Sequence, residues 1–299
     1  MTLPATEASS SRYAALDAWD VPTILTALWE GQLAAVAALA PALPALSRAT
    51  EAAVARLATG GRLAYAGAGT SGRIGVQDAV ELMPTFDWPE HRLVLLMAGG
   101  DAALLRSIEN AEDREDLATA AVVEHGLGPQ DVLVGIAASG TTPFTVAAVR
   151  TARERGALTI AIANSARTPL LDAAEFPVLI ETGAEAIAGS TRMKAGTAQK
   201  VVLNLFSTAI MVRLGRVYRG QMVDMQARNA KLRARGTRML QALTDCSAEE
   251  ARAALQAANG KVKLAVLIVH GMTASDAQAL LTRHGGNLRA AMVNDRKPR

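Results

Sequence analysis

Aromatic residues are scarce: Phe, Tyr and Trp together make up 3% of the 299 residues, although half the chain is hydrophobic. The core must therefore be built from Ala, Leu, Val and Ile, side chains that suit helices packed closely on a parallel sheet. Cysteine is nearly absent. A single Cys246 excludes an internal disulfide and fits a reducing compartment. The histidines, His91, His125, His270 and His284, are isolated, with no ligand spacing to one another or to a carboxylate, so no metal is expected. The formal charge is only +3 and the basic residues are scattered. The exception, Arg296-Lys297-Pro298-Arg299, reads as a frayed tail. Without a basic stripe interleaved with aromatics, nucleic acid is not an expected partner. No uncharged run reaches the roughly 20 residues that span a bilayer. Met1–Ser11 is polar and lacks the apolar segment of a signal peptide. A cytoplasmic protein without membrane contact is the expectation.

What the chain does have is one pattern twice over. Around Gly67–Arg73 and again around Ser139–Pro143, an apolar strand runs into a Gly/Ser/Thr loop that opens an amphipathic helix. Such a turn offers unpaired backbone N–H groups and the positive end of a helix dipole to an anion. The hydroxyls of Thr70, Ser71, Ser139, Thr141 and Thr142 could complete a phosphate's hydrogen bonds, and Arg73 adds a charge. Ser and Thr also serve as ordinary helix caps. Two such loops in one chain favour an anionic ligand.

Short apolar strands at 62–66, 92–97, 131–136, 158–163 and 176–180 alternate with helical patterns at 71–82, 102–111, 117–125, 144–155 and 194–214. Alternation of this kind predicts a parallel sheet covered on both faces, with ligands beyond the carboxyl ends of its strands. Helices broken at Pro41 and Pro44 precede it. The expected organisation is an N-terminal segment with helices over 1–58, an α/β domain over 59–235, and a C-terminal helical domain over 240–299. In the last, Ser247–Glu250 has the form of a capping box, and glycines at 260, 271 and 285–286 mark three short helices. Packing or dimer support is its expected role.

Carboxylates form the next group. Glu81 lies in a mostly apolar stretch before Pro84, where an acid would have a raised pKa, or else is a solvated helix-end glutamate. Glu112 belongs to an acidic run, Glu109 to Asp116, which on spacing alone is a solvated face. Further on, Glu181 and Glu185 run into Ser190, Arg192 and Lys194 at the start of a long apolar helix. Cations there oppose the helix dipole unless an anion sits beside them, either a ligand or Glu181 and Glu185.

Gly67-Ala-Gly-Thr-Ser-Gly-Arg-Ile-Gly75, Ala137-Ala-Ser-Gly-Thr-Thr-Pro143 and Gly189-Ser-Thr-Arg-Met-Lys-Ala-Gly-Thr-Ala-Gln-Lys200 resemble the signatures of N-acetylmuramic acid 6-phosphate etherases. The resemblance extends from Thr6-Glu7 through the C-terminal helices. It implies a SIS-type parallel αβα sandwich, a small three-helix ubiquitin-associated-like domain, and a homodimer. It also implies a cytoplasmic lyase of cell-wall recycling that needs no cofactor. The family's catalytic glutamates match Glu81 and Glu112. Its substrate contacts are expected among Thr70, Ser71, Arg73, Ser139, Thr141, Thr142, Glu185, Ser190, Arg192 and Lys194. Thr141 stands where the family usually has arginine, and Leu82-Met83-Pro84 where it has Cys-Pro-Pro. Two other readings keep the loops: a non-catalytic phosphosugar-binding regulator and an aldose–ketose isomerase. The presence of both glutamates favours the etherase.

Overall fold

The computed structural model describes residues 4–225 and 230–294; the basic tail at 296–299 lies outside them. The chain opens with α1 (Val21–Ala37) and α2 (Leu43–Ala58). Asp20 caps α1 by accepting from the Thr23 N–H at 3.1 Å, and a 3₁₀ turn at Ala40–Ala42 breaks the run where Pro41 removes a donor. There follow β1 (Leu63–Gly67), α3 (Gly69–Phe86), β2 (Leu93–Met97), α4 (Ala102–Leu105) and α5 (Glu115–Glu124). Then come β3 (Val132–Ala137), α6 (Pro143–Glu154), β4 (Leu158–Ala163), α7 (Pro169–Ala173), β5 (Phe176–Leu179) and α8 (Lys194–Arg213). The C-terminal part holds α9 (Ala230–Thr244), α10 (Ala248–Ala257), α11 (Val262–Val269), α12 (Ala274–Arg283) and α13 (Leu288–Asn294).

The five strands form one parallel sheet in the order β2-β1-β3-β4-β5. From β1 the chain steps outward to β2, then returns to β3 on β1's other side. This reversal is a topological switch point, and a crevice opens there beyond the strand ends. The register pairs Gly67 with Ile136, so the loops after β1 and β3 emerge side by side. Small residues let the layers approach. A Cβ at Gly135 of β3 would lie 2.3 Å from Val149 Cγ2 of α6, and one at Gly75 of α3 would lie 2.9 Å from Ile136 Cδ1. Around Gly135 pack Ala64, Ala66, Leu133, Ala148, Ala161 and Leu170, the aliphatic core expected from the lack of aromatics.

A buried carboxylate ties α3 to the sheet and to α8. Asp78 accepts from Tyr65 Oη (2.9 Å), Asn204 Nδ2 (2.8 Å) and Ser207 Oγ (3.1 Å). Burial, with the Asp78 charge beside it, pushes the Tyr65 phenol well above its ordinary pKa. Asp78→Ala strands the buried Tyr65 and Ser207 donors, each costing about 1–3 kcal/mol when buried without a partner, while the exposed Asn204 turns to water. A loss of about 3 kcal/mol or more in the urea unfolding free energy is expected; an unchanged midpoint would show the network to be dispensable.

Three expectations need correction. Helix α3 continues through Pro84 to Phe86, because burial of Phe86 and Trp88 holds its last turn. The helix expected over 102–111 ends at Leu105: Arg73 draws the carbonyls of Ala103 (2.8 Å) and Arg106 (3.1 Å) to its guanidinium, and the ladder is not extended. Among the described residues after 245 there are four helices rather than three, since Asn287 caps a further one by accepting from the Ala290 N–H.

The chain divides into two compact units, residues 1–79 with 91–207, and 80–90 with 208–299. In the second, the expected capping box is formed, with Ser247 Oγ accepting from Glu250 N–H and Glu250 Oε2 from Ser247 N–H. There Asp224 pairs with Lys263 at 2.7 Å and with Arg216 at 3.7 Å. Burial raises the Asp224 pKa against the opposing pull of Lys263. Arg216 also lies over the Trp88 ring.

One helical face is left apolar and open. On α1, Val21, Leu25, Trp29, Leu33 and Val36 recur at helical spacing, and Trp29 is 61% exposed. By length and mean hydropathy, 1.4 in its most apolar window, the stretch Val21–Ala58 could cross a membrane, although the 3₁₀ turn breaks it.

Candidate active site

The two hydroxyl loops meet in one pocket at the switch point. Its volume is about 390 Å³, and its walls come from Ala68–Ser71, Ala138, Ser139, Thr141–Pro143, Gly189, Thr191, Glu112, Asp113 and Glu7. A larger cleft of about 690 Å³, lined by Thr237, Leu255 and Gln256, has no carboxylate in its wall, so size does not select the site.

Backbone geometry explains why glycines recur in these loops. Gly69 starts α3 at φ +53°, and a Cβ on Gly67 would come within 2.8 Å of Gly72 Cα. Only hydrogen lets β1 turn this tightly into its helix. Gly140 stands at φ +68°, where a Cβ would strike Thr168 Oγ1 at 2.3 Å. Ser139 Oγ accepts from the Thr141 N–H (3.2 Å) and from Thr141 Oγ1 (3.0 Å), which fixes the loop's curl. Thr142 is the N-cap of α6, yet its hydroxyl makes no capping bond. The helix N-terminal N–H groups and the Thr142 hydroxyl thus face a pocket ready for an anion.

Glu112 sits in a 3₁₀ turn, Ala111–Asp113, preceded by Asn110 at φ +57°. It is exposed on its loop and lines the same pocket as the hydroxyls, as Asp113 does. Among the described residues, the wall holds three carboxylates and no Lys or Arg. Coulomb repulsion therefore drives a bound phosphate toward the hydroxyl and N–H groups and away from the acids. The uncharged part of a ligand is left for the carboxylates.

Of the residues read from the sequence, Thr70, Ser71, Ser139, Thr141, Thr142 and Glu112 are brought together. Arg73 is not in this wall: its bonds to Ala103 and Arg106 carbonyls brace the segment that leads to Glu112. Glu185 is 1% exposed and caps α8, accepting from the Lys194 and Ala195 N–H groups at 2.9 Å each. A carboxylate at a helix N-terminus is electrostatically favoured, which answers the dipole problem posed by the cations there. Lys194 Nζ donates to the Ala184 carbonyl at 2.7 Å, and burial lowers its pKa against the pull of Glu185. Arg192 is exposed and Ser190 half-buried, while their neighbours Gly189 and Thr191 reach the pocket. Glu81 is exposed and does not line this wall. It stands eleven residues after Thr70 in the sequence. Reading the sequence alone missed Glu7, Asp113 and Thr191. The Thr6-Glu7 pair was visible only as the start of a resemblance.

The five-stranded parallel sheet with helices on its faces is that of a SIS-type fold. Residues 119–209 match the SIS domain, and 45–153 match the glucokinase regulatory protein N-terminal SIS domain. A phosphoheptose isomerase from Francisella tularensis shares the fold, with a TM-score of 0.51 and 20% identity over 65% of this chain and 100% of that one. The chain belongs to the N-acetylmuramic acid 6-phosphate etherase family. It is 48% identical to the etherase of Deinococcus radiodurans over 288 residues, covering 96% of this chain and 94% of that protein. It is 42% identical to that of Halalkalibacterium halodurans over 96% and 97% respectively.

Proposed function

We propose that the protein is a lyase that splits the D-lactyl ether of N-acetylmuramic acid 6-phosphate, yielding N-acetylglucosamine 6-phosphate and D-lactate in the cytoplasm during cell-wall recycling. The observation that carries this reading is the convergence of Glu112 with two hydroxyl loops in one pocket, in a chain of the etherase family. In the open-chain sugar the C1 carbonyl acidifies the C2 proton. Glu112, as carboxylate, removes it. Departure of lactate from C3 then needs a proton, which Glu81 supplies. Water adds back across the unsaturated aldehyde by the same pair in reverse. The phosphate is held by Thr70, Ser71, Ser139, Thr141 and Thr142 with the N-termini of α3 and α6. Arg192, Ser190 and Lys194 stand on the segment that closes the pocket at Gly189 and Thr191.

The active form in this proposal is a homodimer. The open apolar stripe of α1 supports it, because a contiguous exposed row with a Trp at its centre marks an interface. Glu81 supports it too, exposed between Val80 and Met83, which are themselves 50% and 44% exposed.

A coupled D-lactate assay on the purified protein with N-acetylmuramic acid 6-phosphate tests the reaction. Equimolar D-lactate and N-acetylglucosamine 6-phosphate are expected. A ketose product, or binding without turnover, would overturn the reading. Phosphate recognition has its own check. Charge-assisted hydrogen bonds contribute about 1.5–3 kcal/mol, so Ser139→Ala should weaken sugar phosphate binding roughly 10-fold or more while the fold stays intact. Equal calorimetric affinity for phosphorylated and unphosphorylated sugar would remove the phosphate from the argument.

A further inference from the structure

Among the described residues, Glu7 is the one wall residue contributed by the N-terminal segment, and nothing in the etherase chemistry above uses it. Its placement is built. Thr6, the preceding residue, is fully buried, and its Oγ1 lies 3.3 Å from Ser165 Oγ, just past the end of β4. Glu7 itself closes a 3₁₀ turn, its N–H donating to the Pro4 carbonyl at 2.9 Å. On the other side stands Gly189 at φ +74°, where a Cβ would come within 2.9 Å of Glu7 Oε2. A buried anchor one residue away and a glycine that makes room together set this carboxylate against the loop that carries Thr191. Burying Thr6 fixes the 3₁₀ turn that carries Glu7.

A carboxylate at neutral pH only accepts hydrogen bonds. It repels the ligand's phosphate and its lactyl carboxylate, so what it can hold is a donor on the neutral part of the sugar. We propose that Glu7 is a specificity-determining residue that accepts a hydrogen bond from a sugar hydroxyl and so distinguishes a phosphorylated polyhydroxy ligand from phosphate alone. This rests on the reading of the pocket as a phosphosugar site.

The test is calorimetry on the full-length protein with two probes, inorganic phosphate and N-acetylglucosamine 6-phosphate, together with steady-state lactate release. Glu7→Ala should raise the Kd for the sugar phosphate and the KM for the substrate by about 10–100-fold. The affinity for inorganic phosphate should stay within about two-fold and kcat should stay near wild type, because the contact is made alike in ground and transition states. Glu7→Gln keeps an acceptor oxygen without the charge and should fall between. Equal losses for both probes would make Glu7 a structural residue and overturn the proposal. So would unchanged binding of both, or a collapse of kcat at constant KM. If wild-type protein releases no lactate yet binds the sugar phosphate, the etherase reading fails, and the ratio of the two affinities still decides the role of Glu7.

Discussion

Glu112→Gln is expected to lower D-lactate release by about 10²–10⁴-fold, the usual contribution of a positioned acid or base, and to abolish proton exchange at C2 as well. The amide has nearly the shape of the carboxylate but cannot take the proton. Both readouts fall because deprotonation at C2 precedes loss of lactate. Glu81→Gln should reduce release by a similar factor while leaving C2 exchange in place, since the base still works and only the leaving oxygen goes unprotonated. Substrate incubated in heavy water would then gain deuterium at C2, read by NMR, while lactate hardly accumulates. The opposite pattern would reverse the two roles. Full activity in both variants would leave a phosphosugar-binding pocket without this chemistry. Neither side chain is buried, so loss of fold is not expected to confuse the result.

The strands were legible because a parallel sheet covered on both faces needs continuous apolar runs. Val132–Ala137 and Leu158–Ala163 are buried at every position, and no polar alternation blurs them. Elements whose ends depend on distant partners were not legible. The stop of α4 at Leu105 follows from Arg73, thirty residues earlier in the chain, and the passage of α3 through Pro84 follows from burial of Trp88. In the site, the loop hydroxyls could be read because strand, glycine and helix follow one another directly in sequence. Glu185 posed a genuine ambiguity, either ligand contact or partner for the cations, and its burial as the α8 cap now gives it a structural task. Glu7 was legible only as part of the Thr6-Glu7 pair where the resemblance begins. Its short polar segment has no periodicity, and the burial of Thr6 reveals why it is held.

Mixed dimers should recover activity that neither parent variant has. Glu81 is exposed on α3, and the expected recovery follows if, in the proposed homodimer, the acid for one site is drawn from the other copy. In a two-fold dimer the same contacts occur twice. A dimer of one Glu81→Gln and one Glu112→Gln chain would then hold one site with both glutamates and one site with neither. Such a dimer, isolated through two different affinity tags after co-expression, should release D-lactate at about half the wild-type rate, against 10²–10⁴-fold losses in each homodimeric variant. If each chain supplies both glutamates to its own site, every site in the mixed dimer lacks one of them and no recovery occurs. A protein that is monomeric by light scattering at assay concentration would also end the proposal. Changing Trp29 and Leu33 on α1 to glutamate puts charge into the open stripe; if that stripe is the interface, the dimer should dissociate and lactate release should fall with it.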